Sequence, residues 1–430
     1  MNAATPSAGP GPWRWIPTLY FGQGIPYVVV MTLSVVMYKN LGVSNTEIAL
    51  YTSWLYLPWV IKPLWSPLVD LLGRKRLWIA ALQFGIGTAL AAVALTLPGP
   101  QFLRLTLAVF WLMAFASATH DIAADGFYML ALPQKTQAAF VGVRSTFYRL
   151  AMIAGQGGLV WLAGELAERR GSPVEAWQIV FGLLAIYFGI LGAWHGWALP
   201  RPADDRPAPR SGQMWADFVE VFADFFRRPD IVRVLAFLLL YRFAESQLLK
   251  LVTPFLLDPP ALGGLGLRTQ DVGIAYGTVG VIALTLGGLM GGWAISVWGL
   301  KRLLWPLVMA MNVPNLVYVG LAAWQPGHLA WVGASLAVEQ FGYGFGFAGY
   351  LVFMLMVAER RGNPHKTAHY ALCTGFMALG MMLPGMGAGW LQAQLGYLGF
   401  FAWVCIATVL SFAAAAVAPI DPDFGRRSGP

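Results

Sequence analysis

The chain reads as an all-α integral membrane protein, with twelve transmembrane helices forming two pseudo-symmetric bundles of six. Three observations predict this: the composition, the number of long apolar stretches, and a repeat between the halves. The 430 residues are 58% apolar and only 11% charged, against about 45–50% and about 25% in a soluble domain. No water-soluble fold of this length hides that much apolar surface.

A bilayer core of about 30 Å takes roughly 20 helical residues. Stretches of that kind fall at 15–38, 47–69, 77–97, 105–132, 145–166 and 177–199, then at 234–257, 270–298, 303–324, 329–357, 369–393 and 400–419. With both termini in the cytoplasm, nineteen Lys and Arg lie on the inner side and five on the outer, the bias that orients membrane proteins. The net charge of +8 is therefore spread over short connectors, and no nucleic-acid partner is implied. Cys373 and Cys405 both lie in apolar stretches, which argues against a disulfide framework. The opening residues lack a basic region followed by a compact apolar core, so no cleaved signal is expected.

These spans divide the chain into a bundle over 1–199, a connector over 200–233 and a second bundle over 234–430. The connector opens with the Pro- and charge-rich "RPADDRPAPRSG". In "MWADFVEVFADFF", Trp215, Phe218, Val219, Phe222, Phe225 and Phe226 then recur at helical spacing. This predicts an amphipathic helix on the inner leaflet, with a plain tether between the bundles as the alternative.

The halves repeat. "DLLGRKR" (70–76) aligns with "SVWGLKR" (296–302) at an offset of 226, and "KTQAAF" at 135 echoes "KTAHYA" at 366. Two six-helix halves in parallel arrangement resemble major facilitator transporters. In the first copy Gly73 permits a tight turn, Arg74 and Arg76 stay cytoplasmic, and Asp70 is placed to clasp a helix end or an arginine when an inner gate shuts. Ser296 replaces the acid in the second copy, so the clasp is one-sided. A turn without a gating role is the alternative.

Span four places Asp121 and Asp125 within "SATHDIAADGFYML" (117–130). Four residues apart, they share one helix face. A charge near mid-membrane costs at least about 2.5–3.5 kcal/mol, so such residues turn to the bundle interior. Two carboxylates this close disfavour simultaneous ionisation, and a carboxyl that takes and releases a proton is what coupled transport needs. Arg149 in span five is a candidate partner. In span seven, "YRFAESQLLK" sets Arg242 and Glu245 three apart with Lys250 on a nearby face, and Glu339 and Lys62 complete the buried charges. A structural ion pair is the alternative for each, most of all for Arg242–Glu245. His120 points off the Asp121–Asp125 face and is expected to pack or cap.

Gln23, Tyr27, Tyr148, Gln156, Gln340, Tyr343, His369 and Tyr370 supply amides and aromatic faces suited to sugar rings, and Lys62 and Lys250 join them as candidate substrate ligands. The Gly-rich "FGYGFGFAG" and "GMMLPGMGAGW" follow no strand, so they read as close helix packing rather than nucleotide loops. No cofactor or metal motif is present in the sequence.

Four segments, "FGQGIPY", "KPLWSPLVDLLGRKR", "SATHDIAADGFYML" and "YRLAMIAGQGGLVWLA", resemble successive stretches of the AmpG-type muropeptide permeases. The resemblance continues more loosely through "YRFAESQLLKLVTPFLL". It implies a monomeric, proton-driven importer in the bacterial inner membrane, taking N-acetylglucosamine–anhydro-N-acetylmuramic acid units. It also carries the acidic pair onto Asp121 and Asp125, and the basic partner onto Arg149. The continuation "GFYML" and the stretch "GNPHKTAHYALCTGFMALGMMLPGMGAGW" depart from the family pattern, so another amino-sugar oligosaccharide fits as well. Two alternatives stand beside this: a siderophore or other small-molecule permease on the same scaffold, and a prenyltransferase-like membrane enzyme. The spacing of "DIAAD" suits the latter, but such enzymes need a second acidic cluster, and no other span carries two acids.

Overall fold

The computed structural model describes residues 11–207, 214–359, 365–422 and 424. Among them every regular element is a helix. Nine of these helices are long and apolar enough to cross a membrane, and the remaining spans are explained by two breaks and one merger. Span two is split into Asn45–Trp54 and Leu57–Leu72, and span seven into Ile231–Leu240 and Phe243–Leu257. Lys366–Val417 holds spans eleven and twelve, which turn at Gly396; its φ of 67° is the left-handed region open to a residue without Cβ.

Three spans carry a wide π-turn in mid-course: Val29–Leu33 in span one, Ala154–Leu159 in span five and Gly273–Gly280 in span eight. Such turns leave backbone locally irregular inside a helix and concentrate at functional sites. Spans three, four, six and ten are continuous over Lys75–Thr96, Phe102–Ala131, Pro173–Ala198 and Leu329–Ala358. One boundary differs from hydropathy in a way that matters. Span five begins at Gln134, directly after Pro133, rather than at 145. Arg144, which the charge count assigns to a connector, is therefore a helical residue.

The described residues pack as two compact units. One gathers the chain up to Val30, Leu64–Ala154 and the stretch from Trp177 into the connector; the other gathers Met31–Pro63, Gly155–Ala176 and the chain from Met214 onward. In the first, Trp15, Leu19, Val69, Ile79 and Phe127 are buried in one core. Its connector end is pinned: Asp205 accepts from the backbone N–H of Lys75 at 2.7 Å and of Arg76 at 3.2 Å, capping the N-terminus of span three. The Arg76 guanidinium meets the carbonyls of Leu199 and Gly196 at the end of span six. The "GRKR" turn thus fastens two helix ends to each other. The side chain of Asp70 lies outside the described residues.

The second unit is held by aromatic stacks and bare glycine crossings. Phe237 packs 4.1 Å from Phe353 and 4.5 Å from Tyr241, centroid to centroid. A Cβ on Gly277 would stand 1.9 Å from the Gln156 carbonyl oxygen, and one on Gly344 would stand 2.0 Å from that of Leu284. Lipid offers no hydrophobic drive between helices, so close backbone approach carries the packing. Gly277→Val is accordingly expected to cost about 1–3 kcal/mol through overpacking against backbone. Thermal unfolding in detergent checks it, with Gly142→Val as control, since nothing lies within 4 Å of that position. Equal melting of the two variants would contradict the crossing.

Leu95, Leu112, Ile190 and Leu289 are 63–79% exposed, the apolar outer surface that acyl chains cover. The connector helix Met214–Phe226 divides its apolar stripe instead of laying it all on lipid. Phe225 is fully buried and stacks on Phe376 of span eleven, whereas Val219 and Phe226 stay exposed. Trp215 and Phe218 have side chains outside the described residues.

Candidate functional site

In the first unit Asp125 meets a cation, Arg144. Its Nη2 donates to Asp125 Oδ1 at 2.7 Å, and the Tyr20 hydroxyl donates to the same oxygen at 3.2 Å. The guanidinium lies over the rings of Tyr20 and Tyr128, at 4.5 and 4.9 Å from their centroids. The Asp125 and Arg144 side chains are 42% and 30% exposed, so the pair is reachable by water. Asp121 is half-buried one turn earlier on the same face. Arg149 is half-buried in span five beside Tyr148, one helical turn beyond Arg144. The signal that finds Arg144 is Pro133. A helix started there carries residue 144 well inside the span, where hydropathy alone leaves it in a loop.

His120 belongs to a separate buried chain. The Gln83 amide nitrogen lies 3.1 Å from His120 Nε2, the Gln83 oxygen lies 2.9 Å from His195 Nδ1, and Thr18 Oγ1 lies 3.0 Å from His195 Nε2. An amide nitrogen only donates and its oxygen only accepts. His120 Nε2 is therefore bare and His195 Nδ1 carries a proton. The chain ties spans one, three, four and six together.

In the second unit the expected Arg242–Glu245 pair is not formed. Span seven breaks between Leu240 and Phe243, so the i,i+3 geometry of a continuous helix is lost. Arg242 turns instead to the Tyr343 hydroxyl and lies 4.7 Å from the Phe347 ring centroid. Glu245 is fully buried, and among the described residues both its oxygens lack a hydrogen-bond partner. Glu339, also fully buried, accepts from Tyr318 at 2.8 Å and from Gln340 at 3.0 Å through one oxygen. Its other oxygen is unpartnered among the described residues.

Of the remaining candidates, Gln23 is buried, whereas Tyr27, Lys62, Tyr148 and Gln156 are half-buried. His369 does not sit with the sugar-suited set. Its Nε2 lies 3.2 Å from the Val221 carbonyl and 3.6 Å from Asp224, against the connector helix, because residue 369 falls in the first turn of span eleven.

The second unit also holds a polar cluster that sequence reading did not find. Lys39, at the end of span one, pairs with Asp258 at 2.6 Å. Asn45 donates to Asp258 at 3.1 Å and to Gln392 at 3.1 Å, and accepts from Lys39 at 2.8 Å. The Tyr397 hydroxyl donates to Asp258 at 2.6 Å and is 2.8 Å from Asn45 Nδ2. Asp258 thus takes three charge-assisted bonds, the strong kind. It closes the end of span seven onto span two and the turn after span eleven. The available signal was one cation and one acid at matching ends of spans one and seven.

Comparison with known proteins agrees with this architecture. A family model described as Major Facilitator Superfamily matches residues 18–365. The anhydromuropeptide permease of Escherichia coli (strain K12) is 28% identical over 356 residues, covering 82% of this chain and 68% of that protein. A Rickettsia conorii transporter, AmpG 4, is 24% identical over 406 residues, covering 89% of this chain and 91% of the other. The crystal structure of the nucleoside transporter NupG (D323A mutant) superposes with a TM-score of 0.69 at 18% identity, over 94% of this chain and 98% of that one.

Proposed function

The chain belongs to the Major Facilitator Superfamily and is a multi-pass membrane transporter rather than an enzyme, and we propose that it imports an amino-sugar solute together with protons. The observation that carries the coupling is the Asp125–Arg144 pair: a carboxylate inside a span, held by one guanidinium and one hydroxyl, and open to water. A proton arriving on Asp125 removes the charge that holds Arg144, so protonation changes a contact between spans four and five. Asp121 on the same face is the second acid, and Glu245, Glu339 and Arg242 form a further charged group in the other unit. Similarity to the anhydromuropeptide permease favours an N-acetylglucosamine–anhydro-N-acetylmuramic acid unit as solute.

In this reading the protein sits as a monomer in a bacterial inner membrane with both termini inside. Residues 1–199 and 234–430 are its two six-helix bundles. The Lys39–Asp258 cluster then faces outward, and the "GRKR" turn faces the cytoplasm. The deciding experiment is uptake of labelled N-acetylglucosamine–anhydro-N-acetylmuramic acid into proteoliposomes under an imposed pH gradient, with chitobiose alongside. Accumulation that a protonophore collapses is the expected result. Chitobiose uptake alone would keep the coupling and change the solute, and uptake of neither would remove the amino-sugar reading.

A further inference from the structure

Lys250 is a buried lysine for which the described residues supply no anion. The residue is 4% exposed. Its ammonium donates to Thr52 Oγ1 at 3.0 Å and stands 5.0 Å from the centroid of the Tyr56 ring. Among the described residues no carboxylate lies within ion-pairing distance of it. An ammonium has three N–H donors, and Thr52 takes one of them; the Thr52 hydroxyl spends its own proton on the Ile48 carbonyl at 2.7 Å.

A second donor waits nearby. Ser53 Oγ is fully buried and has no hydrogen-bond partner among the described residues. Gly385 of span eleven faces both residues: a Cβ there would stand 2.8 Å from Ser53 Oγ and 3.3 Å from Cγ on the Lys250 stem. Helices from spans two, seven and eleven thus surround the Lys250 amine and unused donors, with no negative acceptor among the described residues. A charge left buried and unpaired is strongly unfavourable, and an ionisable group of this kind inside a membrane marks a substrate path.

We propose that Lys250, held in place by Thr52, and Ser53, beside the Tyr56 ring, form an oxyanion site that receives a carboxylate of the transported solute. This rests on the amino-sugar importer reading and adds that the solute is an acid rather than a neutral sugar. The same three spans contribute Asn45, Asp258 and Gln392 to the Lys39–Asp258 cluster. From Asn45 to Thr52 is seven residues, from Lys250 to Asp258 eight, and from Gly385 to Gln392 seven. At 1.5 Å per residue the site lies about 10–12 Å beneath that cluster. Opening the cluster uncovers the ammonium as solute enters. The carboxylate then supplies the missing charge, so the closed arrangement is more favourable loaded than empty, a differential affinity of the kind that drives a conformational step.

The test is binding by the purified full-length protein of N-acetylglucosamine–anhydro-N-acetylmuramic acid, whose lactyl group bears a carboxylate, and of its methyl ester. The wild type is expected to bind the acid at least about tenfold tighter than the ester. Lys250→Met should bind both as the wild type binds the ester, and that retained ester binding reports a folded protein. Lys250→Arg should keep part of the preference, and Ser53→Ala should lower it several-fold. Equal affinity of the wild type for acid and ester overturns the site. So does a Lys250→Met variant that weakens both ligands alike, since Lys250 is then structural. If Lys250→Met does not fold, an unchanged acid-to-ester ratio in both Lys250→Arg and Ser53→Ala overturns it. Wild type that binds neither ligand removes the importer reading, and the site with it.

Discussion

Asp125→Asn is expected to abolish accumulation of solute against its gradient while leaving exchange of solute across the membrane measurable. Asparagine has nearly the shape of aspartate and keeps an oxygen for the Tyr20 hydroxyl, but it neither takes a proton nor carries charge for Arg144. The Arg144 side chain is 30% exposed, so water partly replaces the lost carboxylate, and a pair this open contributes at most about 1 kcal/mol to stability. The variant should therefore fold, and the loss should fall on coupling. Asp121→Asn is expected to act in the same direction. Arg144→Ala should abolish transport, whereas Arg144→Lys should retain part of it, because an ammonium keeps the charge but not the planar stack on Tyr20 and Tyr128. Accumulation and counterflow measured side by side in proteoliposomes separate the two losses. Normal pH-driven accumulation by both asparagine variants would remove the span-four acids from the coupling path.

Asp258→Ala should shift the protein towards an arrangement open at the Lys39 end by more than about a hundredfold. The Lys39 and Asp258 side chains are only 15% and 8% exposed, so this is not a solvent-screened surface pair. Removing one partner of a buried, hydrogen-bonded ion pair costs roughly 3–5 kcal/mol, because the other charge is stranded. Asn45 and Tyr397 lose their shared acceptor in the same stroke. Ala49, fully buried in the helix that follows Asn45, is a suitable reporter. With Cys373 and Cys405 replaced, Ala49→Cys should react with an impermeant maleimide much faster when Asp258 is alanine. Lys39→Met should have a similar effect, and the double variant little more than either alone, as expected for groups in one network. Unchanged labelling would mean that the cluster closes nothing.

Span number was legible because lipid asks little of a helix beyond length and apolarity. The breaks at Leu55–Tyr56 and at Tyr241–Arg242 were less so: the first is marked only by Pro58, which cannot bond back to Trp54, and the second only by a single charge. They decide which side chains meet. The acids of span four could be placed on one face by spacing alone, but the Arg144 partner of Asp125 depended on where span five starts, and Pro133 rather than hydropathy sets that start. Arg242 and Glu245 show the converse: an i,i+3 spacing is informative only if the helix is continuous, and here it is not. Asn45, Asp258, Gln392 and Tyr397 are separated by up to 352 residues, and nothing local marks them as neighbours.

The buried chain through Gln83 has a direction. One amide dictates which nitrogen of each imidazole holds hydrogen, so His195 donates to Gln83 and Gln83 donates to His120, while the Thr18 hydroxyl lies between the Trp15 carbonyl and His195. Rotating that single amide by half a turn would demand the opposite tautomer at both histidines at once. Leucine in place of Gln83 would leave both imidazoles without the partner that fixes their tautomers.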